Sequence, residues 1–103
     1  MNAATHTPGP WRFDDEQAAI LNPDSKPVAF LSFHAADSLA QENANGRLIA
    51  AAPELLRCAG MALEELQEYG RSNPLARVAI RALQAVIATA TGTTTTEQTG
   101  GAA

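Results

Sequence analysis

Hydrophobic and polar residues alternate with a short period in the first third of the chain and with a helical period in most of the remainder. In residues 11–33, short apolar runs are separated by clusters of Pro, Asn, Asp and Ser, which is the pattern of strands joined by tight turns. Three such strands form an antiparallel meander that needs a helix against one face for stability. The predicted strands are residues 11–13, 18–21 and 28–33, with a reverse turn at residues 22–25.

A first helix is predicted to start after Ser38. Ser38 followed by Gln41 has the spacing of a capping box, which satisfies two backbone N–H donors at a helix start. The dipeptide Asn45-Gly46 lies inside this helix, where glycine costs about 1 kcal/mol relative to alanine. The apolar positions at helical spacing, and therefore the face predicted to pack, are Leu39, Leu48, Ile49 and Ala52.

Pro53 is predicted to form a sharp corner between the first helix and a second helix at residues 53–69. A proline disfavours helical geometry in the residue before it, here Ala52. It also suits the first turn of a new helix, where its missing N–H is not needed. The second helix carries an apolar stripe made of Leu55, Leu56, Ala59, Ala62, Leu63 and Leu66.

A third helix is predicted to start at Pro74, with Asn73 as its N-cap. The short connection at residues 70–73 makes the second and third helices antiparallel neighbours. The predicted fold class is therefore α+β: a short three-stranded antiparallel meander followed by two to three helices, with a C-terminal helical hairpin. The apolar face of the third helix consists of Leu75, Val78, Ala79, Ala82, Leu83, Val86 and Ile87.

Three segments are predicted along the chain. Residues 1–7 form a flexible N-terminus, residues 8–90 a single α+β domain, and residues 91–103 a disordered tail rich in Thr and Gly. The apolar fraction is 46 %, but nearly half of it is alanine, so the larger side chains must supply a small core. Trp11 is expected in that core, although aromatic residues also dominate interfaces. A homodimer is kept as an alternative, because a second copy would bury more apolar surface.

Charge and cysteine content narrow the class of partner. The net charge of −4 and the pI near 4.9 argue against nucleic-acid binding, and this charge is small for a DNA mimic. Cys58 is the only cysteine, which excludes an intramolecular disulfide and fits a reducing compartment. No apolar run reaches the roughly 20 residues that span a bilayer, and the N-terminus lacks a signal-peptide pattern. We therefore expect a cytoplasmic protein without membrane contact.

The sequence carries no pattern typical of catalysis. His34, Asp37 and Ser38 are close in sequence, but a triad is defined by three-dimensional roles, and a linker with a helix cap explains them better. His6, His34 and Cys58 lack the spacing of metal ligands, and Cys58 is expected at a packed face as a small apolar residue. We predict no enzyme activity, no cofactor and no metal.

Glu64, Glu65 and Glu68 are the candidates for contact with a partner protein. In a helical hairpin these carboxylates are expected opposite Arg77 and Arg81. Surface pairs of this kind are worth about 0–1 kcal/mol each, so they would select the helix pairing more than stabilise it.

Two motifs together resemble a known family. HTPGPW at residues 6–11 and NGRLIAAAPELL at residues 45–56 are similar to segments in a family of small proteins from tailed phages and prophages. In that family a β-meander opening with HTPGPW precedes a helix with a NARLIAAAPELL-type segment, so Gly46 stands where the family has alanine. The resemblance covers residues 6 to about 66. It implies a phage or prophage origin and action in the cytoplasm of the bacterial host, and it implies no activity or functional residue.

The leading functional hypothesis is a non-enzymatic accessory protein that binds a host or phage protein, including as an inhibitor of a host defence complex. The alternative is a structural or assembly protein that self-associates through its alanine-rich helices. A small hydrolase or nuclease has the least support. The three hypotheses predict, in turn, a stoichiometric partner, a defined oligomer, and a pocket with converging polar groups.

Overall fold

A computed structural model describes residues 5–70 and 72–93 of the chain. It contains strands β1 (Arg12–Asp14), β2 (Ala19–Leu21) and β3 (Pro27–Phe30), a 3-10 helix (Phe33–Ala35), and helices α1 (Leu39–Ala50), α2 (Ala52–Tyr69) and α3 (Pro74–Thr91). The strands form one antiparallel sheet in the order β1-β2-β3. The predicted α+β class, a three-stranded meander followed by helices, is confirmed.

The chain divides into two compact units. One comprises residues 7–55, with the sheet, α1 and the start of α2. The other comprises residues 1–6 and 56–103, and its described part contains most of α2 and all of α3. The predicted single domain at residues 8–90 stays a prediction. Of the predicted flexible N-terminus and disordered tail, residues 1–4 and 94–103 lie outside the described residues.

Side-chain hydrogen bonds shape both hairpin turns of the sheet. In the first turn, Asp14 accepts hydrogen bonds from the Glu16 N–H at 3.0 Å and the Gln17 amide at 2.9 Å. Asp14 itself belongs to β1, one residue later than the predicted end of that strand. In the second turn, the Asn22 side chain accepts from the N–H groups of Asp24 and Lys26, so the predicted reverse turn at residues 22–25 is confirmed.

The third strand is shorter than predicted. It ends at Phe30 rather than Phe33, and its partner β2 has only three residues. The last hydrogen bond runs from the Leu31 N–H to the carbonyl of Ala18 at 2.8 Å. A bulge also leaves Val28 without an opposite residue, since Ile20 faces Ala29 and Leu21 faces Pro27. The alternation of side chains between the two faces, which is regular in an ideal strand, is therefore interrupted.

The buried core lies on the central strand. Ala18, Ala19, Ile20 and Leu21 are buried, and Ile20 is the largest side chain that is fully enclosed. The larger side chains in this core are the aliphatic Ile20 and Leu21, whereas none of the described aromatic side chains is fully buried. Trp11 is half-buried, and its indole N–H donates to the carbonyl of Thr7 at 3.1 Å.

Helix α1 begins as the sequence predicts. The Ser38 hydroxyl accepts a hydrogen bond from the Gln41 N–H at 3.1 Å, which confirms Ser38 as the N-cap. The Gln41 side chain accepts from the Asp37 N–H at 2.7 Å, one residue before the position of a standard capping box. The helix runs through Asn45-Gly46 without a break.

The residues that α1 buries against the sheet are not those predicted. Glu42 and Gly46 are its buried residues, and α1 contacts β1 and β2. The predicted packing residues Leu39, Leu48 and Ile49 are exposed instead. The reason is the close approach of a strand side chain, which only a small residue permits: a Cβ atom at position 46 would overlap the Phe13 ring.

The predicted break between α1 and α2 is confirmed, but it lies two residues before Pro53. Ala51 ends α1 by donating its N–H to the carbonyl of Arg47 at 3.1 Å, and its own carbonyl accepts from the Leu55 N–H at 2.8 Å. Helix α2 therefore starts at Ala52, with Pro53 in its first turn, where a missing N–H is tolerated. Gly9 lies against Pro53, because a Cβ on Gly9 would stand 3.0 Å from the Pro53 Cβ.

The second unit holds the predicted helical hairpin. Asn73 caps α3 by accepting from the N–H groups of Leu75 at 2.9 Å and Ala76 at 3.5 Å. Helix α3 ends at Gly92, a left-handed residue with φ 71°, which glycine adopts without strain. The half-buried stripe of α3 contains Ala76, Ala79, Ile80, Leu83 and Ile87. Leu75, Val78 and Val86 were predicted to belong to this stripe, but they are exposed.

Candidate protein-contact surfaces

The described residues expose two groups of apolar side chains, one in each unit. The first, the corner patch, surrounds the junction of α1 and α2 and consists of Leu48, Ile49, Ala52 and Leu55. Leu48 is 65 % exposed and Leu55 is 54 % exposed. Because α1 packs on the sheet through Glu42 and Gly46, the aliphatic side chains on the rest of the helix point away from the sheet. Large exposed apolar patches are typical of protein contact sites.

The second group, the α3 stripe, follows one side of the last helix at helical spacing and consists of Leu75, Val78, Ala82 and Val86. Leu75 is 81 % exposed. Neither α2 nor α3 contains a buried residue. A hairpin with a half-buried inner stripe and a second apolar side is typical of helices that gain stability from a further helix.

The predicted acidic cluster, Glu64, Glu65 and Glu68, is exposed on α2. The expected pairing with the arginines of α3 is wrong for the described residues: no ion pair joins these carboxylates to Arg77 or Arg81. The neutral Gln67 takes that place and lines a shallow cavity with Arg77, Ile80, Arg81 and Gln84. The glutamates lie on the outer side of α2 because Leu63, Leu66 and Gln67 form its half-buried side.

The candidate residues for catalysis do not converge. His34 is exposed in the 3-10 helix, and Ser38 uses its hydroxyl oxygen as the acceptor for the cap of α1. No hydrogen bond links the His34 side chain to Asp37 or Ser38 in the described part of the chain. Ser38 is therefore the helix cap that the sequence predicts.

His6, His34 and Cys58, which were considered as metal ligands, belong to no cluster of ligating side chains in the described residues. Over residues 5–70 and 72–93, no three side chains of His, Cys, Asp or Glu are grouped as metal ligands would be. Cys58, expected on or near a packed face, is exposed and lies beside the half-buried side of α2 rather than on it. The half-buried side of α2 passes through Ala59 and Leu63, and Cys58 lies on the neighbouring exposed side with Leu55 and Ala62.

The sheet-facing side of α1 carries a polar feature that is not evident from the sequence. Glu42 is only 5 % exposed, and its Oε2 atom accepts no hydrogen bond; the same holds for the buried Oδ1 atom of Asn43. Each residue lines a groove. Glu42 lines one of about 210 Å³ with Ala36, Asp37, Ser38 and Leu39, and Asn43 lines one of about 290 Å³ with Phe13, Asp15, Arg47 and Ala50. The signal for Glu42 in the sequence is its i, i+4 spacing from Gly46, but the apolar pattern of α1 concealed it.

The segments that carry the family resemblance are in contact with each other. Gly9 of the first segment lies on Pro53 of the second, and Phe13, two residues after the first segment, lies on Gly46. Gly46 therefore has a structural role in this chain, because it receives the Phe13 ring.

The family model described as Salmonella phage P22 protein Y8K6 matches residues 1–94 of the chain. No curated protein and no solved structure matches. No helix in the described residues has the length and hydropathy to cross a membrane. The family match extends over the sheet and all three helices, and the chain belongs to this family of phage proteins.

Proposed function

We propose that the protein is a non-enzymatic phage accessory protein that binds another protein in the cytoplasm of the bacterial host. The observation that carries this proposal is the corner patch. Leu48 and Leu55 expose more than half of their surface at a junction fixed by the hydrogen bonds of Ala51 and by the contact between Gly9 and Pro53. A rigid patch of aliphatic side chains loses little conformational freedom on binding.

The composition of the patch and its surroundings suits a protein partner. The patch offers apolar side chains for burial, and Arg47 and Glu54, the charged residues beside it in the sequence, are exposed. An apolar centre with a polar rim is the usual arrangement of a protein interface. Inhibition of a host complex, including a defence complex, is the finer form of this proposal.

The test uses a charge placed on the patch. The full chain is used to capture proteins from host lysate, and the stoichiometry of any recovered protein is measured with the purified pair. We expect Leu48→Glu to weaken binding at least tenfold while thermal unfolding stays within a few degrees of the unsubstituted chain, since the position is exposed. Gln84→Glu is the matched control, because it adds the same charge to an exposed polar position of α3. A partner that binds Leu48→Glu and the unsubstituted chain equally contradicts the proposal.

The same binding experiment also tests the acidic cluster of Glu64, Glu65 and Glu68. Glu65→Arg reverses a charge on α2 without changing the corner patch. Loss of binding in this variant, with Leu48→Glu unaffected, would place the contact on the carboxylates of Glu64, Glu65 and Glu68 instead of on the corner patch.

The alternative function is a self-associating assembly protein, and the α3 stripe favours it. Pairing of the stripes of two copies would bury Leu75 and Val78, which stay exposed in a single chain. Light scattering at increasing protein concentration separates the alternatives. Self-association predicts a dimer that Leu75→Glu converts to a monomer, whereas a monomer at every concentration rules out this alternative and leaves the corner patch proposal in place.

A further inference from the structure

We propose that the groove at the start of α1 is a binding site for the guanidinium group of an arginine side chain on a partner protein, with the Glu42 carboxylate as the main acceptor. We name it the cap groove; it is lined by Ala36, Asp37, Ser38, Leu39 and Glu42. The inference rests on the proposed protein-binding function, but it concerns a different surface from the corner patch.

The Glu42 carboxylate is buried and incompletely hydrogen-bonded. Its side chain is 5 % exposed, and its Oε2 atom is buried without a hydrogen-bond donor. A buried carboxylate oxygen without a donor is costly, and native proteins rarely contain one unless a ligand or another group completes the site. Because Glu42 lines the groove, a turn of its side chain towards the groove would bring the carboxylate to a donor from outside the chain.

The groups around the groove indicate the charge of the ligand. The N–H groups of Asp37 and Gln41 already donate to the side chains of Gln41 and Ser38, and the Glu42 N–H donates to the Ser38 carbonyl at 3.0 Å. Among the first-turn N–H groups of α1, that of Gln41 is therefore in use. The unsatisfied side-chain atom is an acceptor, and Asp37 adds a second carboxylate to the groove, so a ligand that donates hydrogen bonds and carries positive charge suits these two side chains.

Among cations, the guanidinium group suits the groove best. A metal ion does not fit, because no cluster of three ligating side chains exists over the described residues. A guanidinium group presents five N–H donors in a plane and is less strongly hydrated than an ammonium group, so it enters a partly buried acidic site more readily. Leu39 and Ala36 supply an apolar wall along which the methylene groups of an arginine can lie.

The experiment titrates the full chain, labelled with ¹⁵N, with N-acetyl-arginine N-methylamide. We expect saturable shifts of the amide signals of residues 36–42, with a dissociation constant in the millimolar range. The citrulline analogue has the same shape without the charge and is expected to bind at least fivefold more weakly. The lysine analogue, which carries a compact ammonium group, is expected to bind between the two.

Two variants test the role of the carboxylates. Glu42→Gln is expected to weaken binding of the arginine probe about tenfold, because the buried acceptor loses its charge. Glu16→Gln is the matched control, since it makes the same chemical change at an exposed turn position and should leave binding unchanged. Asp37→Asn, also at an exposed position, should weaken binding a few-fold and keeps the test valid if the Glu42 variant fails to fold.

Three results would overturn the inference: no saturable shift with the arginine probe, equal binding of the citrulline analogue, or unchanged binding after Glu42→Gln. Because the probe is a small molecule, none of these results depends on the corner patch. Failure here and failure of the proposed function are thus separate outcomes.

Discussion

The ring of Phe13 lies directly on the backbone of Gly46, so that a side chain at position 46 has no room. This contact joins β1 to α1 and sets which side of the helix meets the sheet. It also explains why a glycine is present in the middle of a helix, where it is otherwise unfavourable.

The first prediction follows from this contact. Gly46→Ala is expected to lower the free energy of unfolding by about 1–3 kcal/mol, the usual cost of overpacking, despite the better helix propensity of alanine. Gly60→Ala in α2 is the control: a Cβ there meets nothing within 4 Å, so we expect a gain of about 0.5–1 kcal/mol. Urea unfolding of both variants measures the difference.

The same contact can be tested by a double-mutant cycle. Phe13→Leu makes room above position 46, so Gly46→Ala should cost less in that background than in the unsubstituted chain. Equal effects of Gly46→Ala in both backgrounds would show that the ring does not restrict position 46.

The second prediction concerns Glu42. Glu42→Met replaces a buried, unsatisfied carboxylate by an apolar side chain of similar length, and we expect the free energy of unfolding to rise by about 1–3 kcal/mol. Thermal unfolding checks this result, with the exposed Glu16→Met expected to stay within about 0.5 kcal/mol. Destabilisation by Glu42→Met would mean that the carboxylate has a donor within the chain.

The third prediction distinguishes the two sides of α3. Leu83 is half-buried and Leu75 is 81 % exposed. Leu83→Ala is therefore expected to cost at least about 1 kcal/mol more than Leu75→Ala, which as a surface change should stay within about 0.5 kcal/mol. Chemical denaturation of the two variants under conditions where the protein is monomeric makes the comparison. A larger loss of stability for Leu75→Ala than for Leu83→Ala would contradict this prediction and would support packing through Leu75, as expected from the sequence.

The fourth prediction concerns the start of α3. Asn73→Ala removes the acceptor for the Leu75 N–H and is expected to cost about 1 kcal/mol. Amide hydrogen exchange in the first turn of α3 should be faster than in the unsubstituted chain, while the exchange rates of the β2 amides stay unchanged. An unchanged exchange rate at Leu75 would contradict the cap.

The fifth prediction uses the exposed thiol of Cys58. It should react fully with a disulfide reagent without denaturant, because solvent access and not unfolding limits the reaction. Slow reaction that accelerates only in urea would return Cys58 to the packed face expected from the sequence.

The sequence predicted the element types well because local signals specify them. Ser38, Asn73 and the corner near Pro53 act within a few residues, and each one is found at or within two residues of its predicted place. Such signals do not depend on the rest of the fold, so a single sequence is sufficient to recognise them.

The packing faces of α1 and α3 could not be predicted in the same way. In α1, the larger aliphatic residues suggested the buried side, yet the approach of Phe13 selects Gly46 and brings Glu42 inside. In α3, apolar residues occupy two sides, and the sequence gives no means to choose between Leu75 and Leu83. Both choices depend on contacts between distant residues. The groove at Glu42 was missed for the same reason.

The bulge at Val28 has a consequence for the outer border of the sheet. Pro27 has no N–H to offer, and Val28 breaks the regular spacing of the remaining donors. An incoming strand would find no continuous row of backbone groups to match, which is how natural sheets avoid stacking into fibres. Phe30 and several aliphatic side chains of the protein are exposed. We expect this exposure to cause little aggregation by strand pairing along β3.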